Sequence, residues 1–281
     1  MADRRQRQHG RTGSAMAMAG LMAGLWTGAT ACSGGAAAED ARALDPLDTL
    51  HRAADTLVAA GSSRTRTSME MATGGTRVTI RGTGVYDFAH RRGRLKVLLP
   101  QDPAGRTDHR PITELISPGA LFMKNRGAGV PSDKWVRVDT ATISDGNLVT
   151  GGATDPYTAA EVLRGAHSAR YLGTTVIDDT EVRHYRGTAD LTKASKAASP
   201  GTRAALAAAA EGFATATVPF DAYLDDKGRI RKLEHRFSFL NGREQSPVSV
   251  SSTTVLYDFG TPANVPLPPK KDIYAGRIAE D

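Results

Sequence analysis

The sequence predicts an α+β fold: a long, curved antiparallel sheet with a few short helices against one face. Three observations carry this. Several stretches alternate between apolar and polar residues with a period of two. Three separate segments share one helix-start signature, Asp-Pro or Ser-Pro ahead of an apolar periodic run. These helices are scattered along the chain and do not follow every strand, which argues against a parallel β–α–β sheet. The 281 residues are 40% hydrophobic and 23% charged, which excludes a polytopic membrane protein, a collagen-like repeat and a wholly disordered chain.

The N-terminal segment is the plainest signal. Arg4, Arg5, Arg7 and Arg11 form a basic head, and no charge follows from Thr12 to Ala38. The apolar part, Ala15 to Trp26, is rich in Ala and Gly and ends at Gly28-Ala29-Thr30-Ala31-Cys32. That is the order of an exported precursor, with residues 1–31 as the signal peptide and cleavage between Ala31 and Cys32. A membrane-spanning helix needs about 20 strongly apolar residues, and this core is shorter and weaker. The small residues before Cys32 resemble the lipobox of bacterial lipoproteins, although Ala29 stands where that box usually has Leu. The resemblance implies that Cys32 carries a thioether-linked diacylglyceryl group and an N-acyl chain, as the new N-terminus. Two other readings stay open: an ordinary secretory signal with an incidental cysteine, and a retained anchor. Arg4-Arg5 fits a twin-arginine signal, but Gln6-Arg7-Gln8 lacks the apolar residues that follow such a pair, so the export route is open too.

Residues 1–31 hold four arginines and one aspartate, half of the chain's net charge of +6, so the remainder carries +3. No Lys/Arg block with interleaved aromatics occurs, and no nucleic-acid partner is expected. Arg91-Arg92-Gly93-Arg94, the densest basic cluster, reads as a hairpin turn.

Residues 32–44 read as a flexible tether of small and charged residues; eleven of them span roughly 18 Å. Residues 45–281 read as one domain. Its first helix opens at Asp45-Pro46, buries Leu47, Leu50, Ala54, Leu57 and Val58, and stops at Gly61. A second opens at Asp155-Pro156, with Ala159, Val162, Leu163 and Ala166 inward, and a third opens at Ser199-Pro200. The clearest strand sets Val78, Ile80, Gly82, Gly84, Tyr86 and Phe88 on one face and Arg77, Thr79, Arg81, Thr83 and Asp87 on the other. Strands are also predicted over 94–99, 120–124, 134–139, 174–177, 181–191, 217–224, 230–240 and 248–259. Turn chemistry separates them at 89–93, 127–133, Asp178-Asp179, 225–228 and Asn241-Gly242. The proline-rich tail after Phe259 is expected to be extended and to lie outside the core.

Catalytic signatures are missing. There is no G-x-S-x-G elbow, no P-loop, no H-E-x-x-H and no dinucleotide fingerprint. The histidines His51, His90, His109, His167, His184 and His235 show no metal-ligand spacing, and the 225–228 run lacks the acidic ladder of a calcium loop. With Cys32 lipidated, no thiol nucleophile remains, and a lone cysteine forms no internal disulfide. The expectation is a non-enzyme with no metal and no cofactor other than the lipid on Cys32.

A lipobox cysteine, a tether, a meandering sheet and a few helices together resemble the LppX/LprG-type lipoproteins and the wider LolA-like fold. Local phrases carry the same likeness over roughly residues 45–270: Lys134 to Asp139 (KWVRVD), the Asp155-Pro156 helix start, Gly173 to Tyr185, Ala222 to Gly228, and Tyr257-Asp258-Phe259-Gly260 before the prolines. The resemblance implies an open half-barrel with helices on its concave face. It also implies an apolar cavity for acyl chains of a lipid or lipoconjugate, and carriage or sensing instead of catalysis. Val78, Ile80, Gly82, Gly84, Tyr86, Phe88 and Leu163 are the candidate lining. The two glycines admit a second reading, close backbone approach or a bend in the sheet. Expected partners are the membrane through the anchor, a lipid ligand and a membrane transporter. The expected form is a monomer at the extracytoplasmic face of the cell membrane. The alternatives are an RseB-like envelope sensor that binds a protein partner, and a surface hydrolase with a scattered site.

Overall fold

The computed structural model describes residues 45–73, 76–99, 111–126, 129–149, 154–240 and 247–276. Cys32, the signal peptide, the tether and the Asn241-Gly242 turn lie outside the described residues.

The chain opens with helix α1 (Pro46–Ala60) and then lays down β1 (Ser62–Thr73), β2 (Thr76–Asp87), β3 (Arg92–Leu98), β4 (Ile112–Ser117), β5 (Ala120–Lys124) and β6 (Trp135–Asp139). A 3-10 turn (Thr140–Thr142), α2 (Pro156–Val162) and a second 3-10 turn (Leu163–Gly165) follow. Then come β7 (Ala166–Ile177), β8 (Thr180–Asp190), α3 (Leu191–Ala197), α4 (Pro200–Gly212), β9 (Thr217–Leu224), β10 (Ile230–Leu240) and β11 (Pro247–Tyr257). All eleven strands form one open antiparallel sheet in the order β6-β5-β4-β3-β2-β1-β11-β10-β9-β8-β7.

This order is two meanders joined at the centre. The first walks outward from β1 to the β6 edge. The chain must then cross to the opposite edge before the second walks back from β7 to β11. That crossing, residues 140–165, carries α2, and together with α1, α3 and α4 it covers the inner face of the sheet. The first and last strands meet in the middle, with Thr67 opposite Thr254 and Met69 opposite Ser252.

Caps explain the helix starts. Asp45 accepts from Leu47 N–H at 2.9 Å and Asp155 from Tyr157 N–H at 3.0 Å, each ahead of Pro at the first helical position. Gly61, at φ +80°, ends α1 in a conformation that L side chains avoid. Ser199 precedes α4 without capping it; its hydroxyl donates to the buried Glu161 carboxylate at 2.8 Å. Arg164 also reaches Glu161 (3.2 Å) and holds Asp55 of α1 through two nitrogens at 2.6 and 3.1 Å, so α1, α2 and the start of α4 are tied by charge. The Asp178-Asp179 turn has positive φ at both residues, the geometry that matches the twist of a two-residue hairpin.

Four expectations need correction. Strand β1 was not predicted because its inward residues begin Ser63, Thr65, Thr67, and hydroxyls alternating with arginine do not read as an apolar stripe. Strand β4 is six residues with Glu114 on its inner face, too short and too polar for a clear period. Strand β7 begins at Ala166, not Thr174; its first half is an edge with polar residues on both sides and a bulge near Tyr171. Helix α3 follows directly where a strand end was expected, because Asp190 caps Lys193 N–H at 2.9 Å.

The tail is the fifth correction. Residues beyond Phe259 do run extended, but they build a second, smaller core on the outer face. Val265 is buried against Leu115, Ala120 and Phe122, with Leu267, Ile273, Val85 and Trp135 packed alongside. The main core lies on the inner face, between helices and sheet.

Candidate functional site

The seven residues proposed to line a cavity all belong to the inner side. Ile80, Tyr86, Phe88 and Leu163 are in the main core, Val78 packs against it, Gly82 is buried and Gly84 half-buried. The Tyr86 and Phe88 rings lie 5.0 Å apart. Tyr86 also hydrogen-bonds the Asp155 side chain; burial, then the Asp155 charge, pushes its hydroxyl pKa well up. Gly84 has a specific steric cause: a Cβ there would run into the Arg94 carbonyl of β3. Close backbone approach is therefore the reading that fits Gly84.

The sheet centre is polar, which sequence reasoning missed. On β1, Ser63, Thr65 and Thr67 are buried on the inner face; on β11, Ser252 and Thr254 join them, and His235 of β10 sits opposite Ser252. The signal was the hydroxyl at every second position of Ser63-Arg64-Thr65-Arg66-Thr67. Thr154, at the start of α2, bonds Ser252 Oγ at 2.6 Å and donates to Leu148 O at 3.0 Å, so the crossing segment touches this strip directly. Among the described residues, Ser63 Oγ, Thr65 Oγ1, Thr67 Oγ1 and His235 Nε2 find no hydrogen-bond partner. Burial drives the His235 pKa down to about 3, so its ring is neutral. On the other side, burial pushes Glu114 up to about 8 against the pull of the Arg126 charge, which keeps it protonated at neutral pH.

An open cleft of ≈ 590 Å³ lies at the sheet end where β1, β10 and β11 finish. It lies on the outer face, where Glu70, Ala72, Arg77, Pro219, Arg236, Ser249 and Ser251 line it; Phe237 and Val250, paired across β10 and β11, are buried on the inner side beneath it. Phe213, just after α4, stacks on Phe237 at 4.7 Å. The His235 ring is 5.6 Å from Phe237, so the polar strip runs into the apolar core on the inner face.

The outer face carries a different cluster. Asp221 accepts from His184 Nε2 (2.6 Å), Arg186 Nε (2.8 Å) and Arg236 Nη2 (3.1 Å). Burial raises its carboxyl pKa, but these hydrogen bonds outweigh burial and the net displacement is downward. The 225–228 turn is held by Asp225, which accepts from the Lys227 and Arg229 amides and pairs with the Arg229 guanidinium. Among the described residues, no group of His, Cys, Asp and Glu is placed to hold a metal ion, and no helix is long and apolar enough to cross a membrane.

The fold and site define an open antiparallel sheet with a helix-covered inner face, a polar centre on that face and an open cleft at one end of the outer face. No family profile and no curated protein matches the chain. Among solved structures it is similar to the lipoprotein LppX of Mycobacterium tuberculosis, at 11% identity over 78% of this chain and 97% of that one, with a TM-score of 0.40. It is also similar to LprF of Mycobacterium bovis, at 13% identity over 79% and 96% of the two chains, TM-score 0.39. A third likeness is to MucB of Pseudomonas aeruginosa in its complex with MucA, at 15% identity over 84% and 64%, TM-score 0.31.

Proposed function

We propose that this is a lipoprotein of the bacterial envelope, anchored through Cys32, which holds acyl chains of a lipid or lipoconjugate between its helices and the inner face of its sheet. The observation that carries the reading is the helix-covered inner face, at whose centre the hydroxyls of Ser63, Thr65 and Thr67 are buried without a hydrogen-bond partner among the described residues. In this reading the protein carries or presents its ligand and catalyses nothing. Native mass spectrometry of the full chain, released from membranes in detergent, tests it. Co-purified lipid is expected; protein that carries none and binds none from added vesicles would overturn it.

A second reading is favoured by one observation. The β7 edge is twelve residues long, with Tyr171, Leu172 and Val176 exposed. An unpaired strand of that length fits a protein partner that adds a strand, as a sensor module would. Charge at the edge separates the two readings: Val176→Lys should abolish partner capture and leave lipid binding intact.

A further inference from the structure

A second cleft on the outer face carries a chemistry that the lipid-binding reading does not use. We infer that Arg170, Arg186 and Arg236, with the Ser168 hydroxyl, form a binding site for a phosphate monoester. The cleft holds ≈ 630 Å³ and opens across β7, β8, β9 and β10, which lie side by side. Register puts the residues on one face. Ser168 stands opposite Thr188, Arg170 opposite Arg186, and Arg186 opposite Asp221. Asp221 in turn stands opposite Glu234, and Arg236, two residues on, shares the face of Glu234. The opening has a cause in the sequence. The β9–β10 ladder ends at the Phe220–His235 pair. The next residue of β9 is Pro219, which has no backbone N–H to give. Beyond it β9 pairs with β8, through Thr188, and β10 pairs with β11, through Arg236 and Ser251. The strands part there, and Pro219 and Arg236 line the gap.

Charge points to an anion. Arg170, Arg186 and Arg236 line the cleft, and no carboxylate does. Arg170 and Arg186 are a directly opposed cross-strand pair of like charges, an arrangement that destabilises a sheet by itself. Arg170 is exposed and has no hydrogen-bond or ion-pair partner among the described residues. Asp221 lies beneath, 1% exposed, and fixes the other two guanidiniums: Oδ1 accepts from Arg186 Nε at 2.8 Å and Oδ2 from Arg236 Nη2 at 3.1 Å. Glu234, next along the row, is held by Lys232 at 2.6 Å. Three guanidiniums over one carboxylate leave a surplus of two positive charges, with the outer N–H groups of all three free to donate.

The number of donors narrows the class. A carboxylate has two oxygens, and one guanidinium fork satisfies both. Three forks at one cleft suit an oxyanion with more acceptor oxygens, and the surplus of two charges matches a phosphate monoester, about −1.5 to −2 at neutral pH. Thr188 Oγ1 donates to Ser168 Oγ at 3.3 Å, which leaves the Ser168 proton for a ligand. A cleft of this size takes a small organic molecule and not a bare ion, so the phosphate would be esterified. The ester could be soluble, such as a phosphorylated polyol, or the headgroup of a lipid, and the same three arginines would read either.

The test is calorimetric titration of the full chain in neutral detergent, at fixed ionic strength, against its Arg170→Gln variant. The probes are glycerol 3-phosphate, glycerate as the carboxylate analogue, and dihexanoylphosphatidic acid as a lipid-borne monoester. The parent is expected to bind glycerol 3-phosphate about tenfold or more tightly than glycerate. Arg170→Gln should weaken that binding about tenfold, the loss of one charge-assisted hydrogen bond. Without ligand the variant should melt no lower than the parent, because Arg170 has no partner to lose. Glycerol 3-phosphate should then raise the melting midpoint of the parent and leave that of the variant nearly unmoved. Tighter binding of dihexanoylphosphatidic acid than of glycerol 3-phosphate would assign the site to a lipid headgroup, and the reverse to a soluble ester; either upholds it. A parent that binds neither phosphate, or binds glycerate equally well, overturns the inference. So does a variant that binds as the parent does, or one that melts lower without ligand, since Arg170 would then serve the fold.

Discussion

Ile273 lies beside Trp135 in a parallel bridge, and the next residue, Tyr274, donates its backbone N–H to Trp135 O at 2.8 Å. The C-terminal tail thus closes the β6 edge, which would otherwise present unpaired backbone to other chains. At the opposite edge, α1 meets the start of β7, where the His51 ring nitrogen lies 2.8 Å from Ala166 O. Deleting residues 264–281 should remove the buried Val265 and its neighbours and cost on the order of 3 kcal/mol. Urea unfolding would show the lower midpoint, and light scattering should show self-association through β6. A truncated protein as stable and as monodisperse as the parent would mean that the tail only decorates the sheet.

Glu114 and His235 should give opposite slopes of stability against pH. The unfolded Glu114 titrates near 4.5 and the folded one at about 8, so between those values only the folded state holds the proton. Its contribution is full below 4.5 and is lost as pH rises to 8. For His235, ordinarily at 6.5 and about 3 when folded, the contribution is full above 6.5 and is lost as pH falls to 3. The two cancel from 4.5 to 6.5, and the decline above 6.5 belongs to Glu114. Glu114→Gln should flatten that decline, by about 1.4 kcal/mol per pH unit. Denaturant midpoints of both proteins at pH 6.5 and 8 would check it; parallel curves would show that Glu114 is not buried and protonated.

Asp221→Asn should weaken the outer face modestly. The carboxylate is 1% exposed, but Arg186 and Arg236 are about half exposed and can turn to water when it is neutralised. That discounts the loss to about 1–2 kcal/mol, below the cost of stranding a fully buried charge. Because the folded carboxyl is depressed, its contribution is present above the ordinary 3.8 and is lost as acid protonates it. The variant should therefore show its deficit at pH 7 and approach the parent in acid. Equal stability at pH 7 would remove the network from the list of stabilising contacts.

Gly84→Ala should cost about 1–3 kcal/mol, because its methyl group would meet the Arg94 carbonyl and force β2 and β3 apart. A thermal melt suffices. An unchanged midpoint would mean that the strands part freely there, and the cavity reading of Gly84 would regain force.

Cys32→Ala should release the protein from the membrane or stall it as the uncleaved precursor. Two or three acyl chains hold a protein where one is marginal, at about 0.8 kcal/mol per buried CH₂. Fractionation with mass measurement would distinguish the outcomes. Full membrane retention of a processed alanine variant would sink the anchor.

Local signals fixed much of the architecture. Asp45-Pro46 and Asp155-Pro156 start helices because an Asp cap and a proline at the first helical position act within four residues. Strands such as β10 and β2 alternate visibly because one face is apolar, and Asp178-Asp179 turns because both residues tolerate positive φ. The inward face of β2 was legible for the same reason, as Ile80 and Tyr86 share an apolar, buried face.

What depends on distant partners was not legible. Ser63, Thr65 and Thr67 look like solvent-facing residues; only the pairing of β1 with β11, almost two hundred residues away, and the crossing segment above them make them interior. The tail looks like a solvated spacer until Trp135 and Phe122 offer it an apolar surface. Glu114 reads as an ordinary carboxylate until desolvation between β3 and β5 neutralises it. Caps, turns and periodicity are set by neighbours along the chain, so the sequence by itself determined the elements and the inward face of the apolar ones. Burial of a polar group is set by whatever the fold brings over it, so only the tertiary structure decided where the polar centre lies.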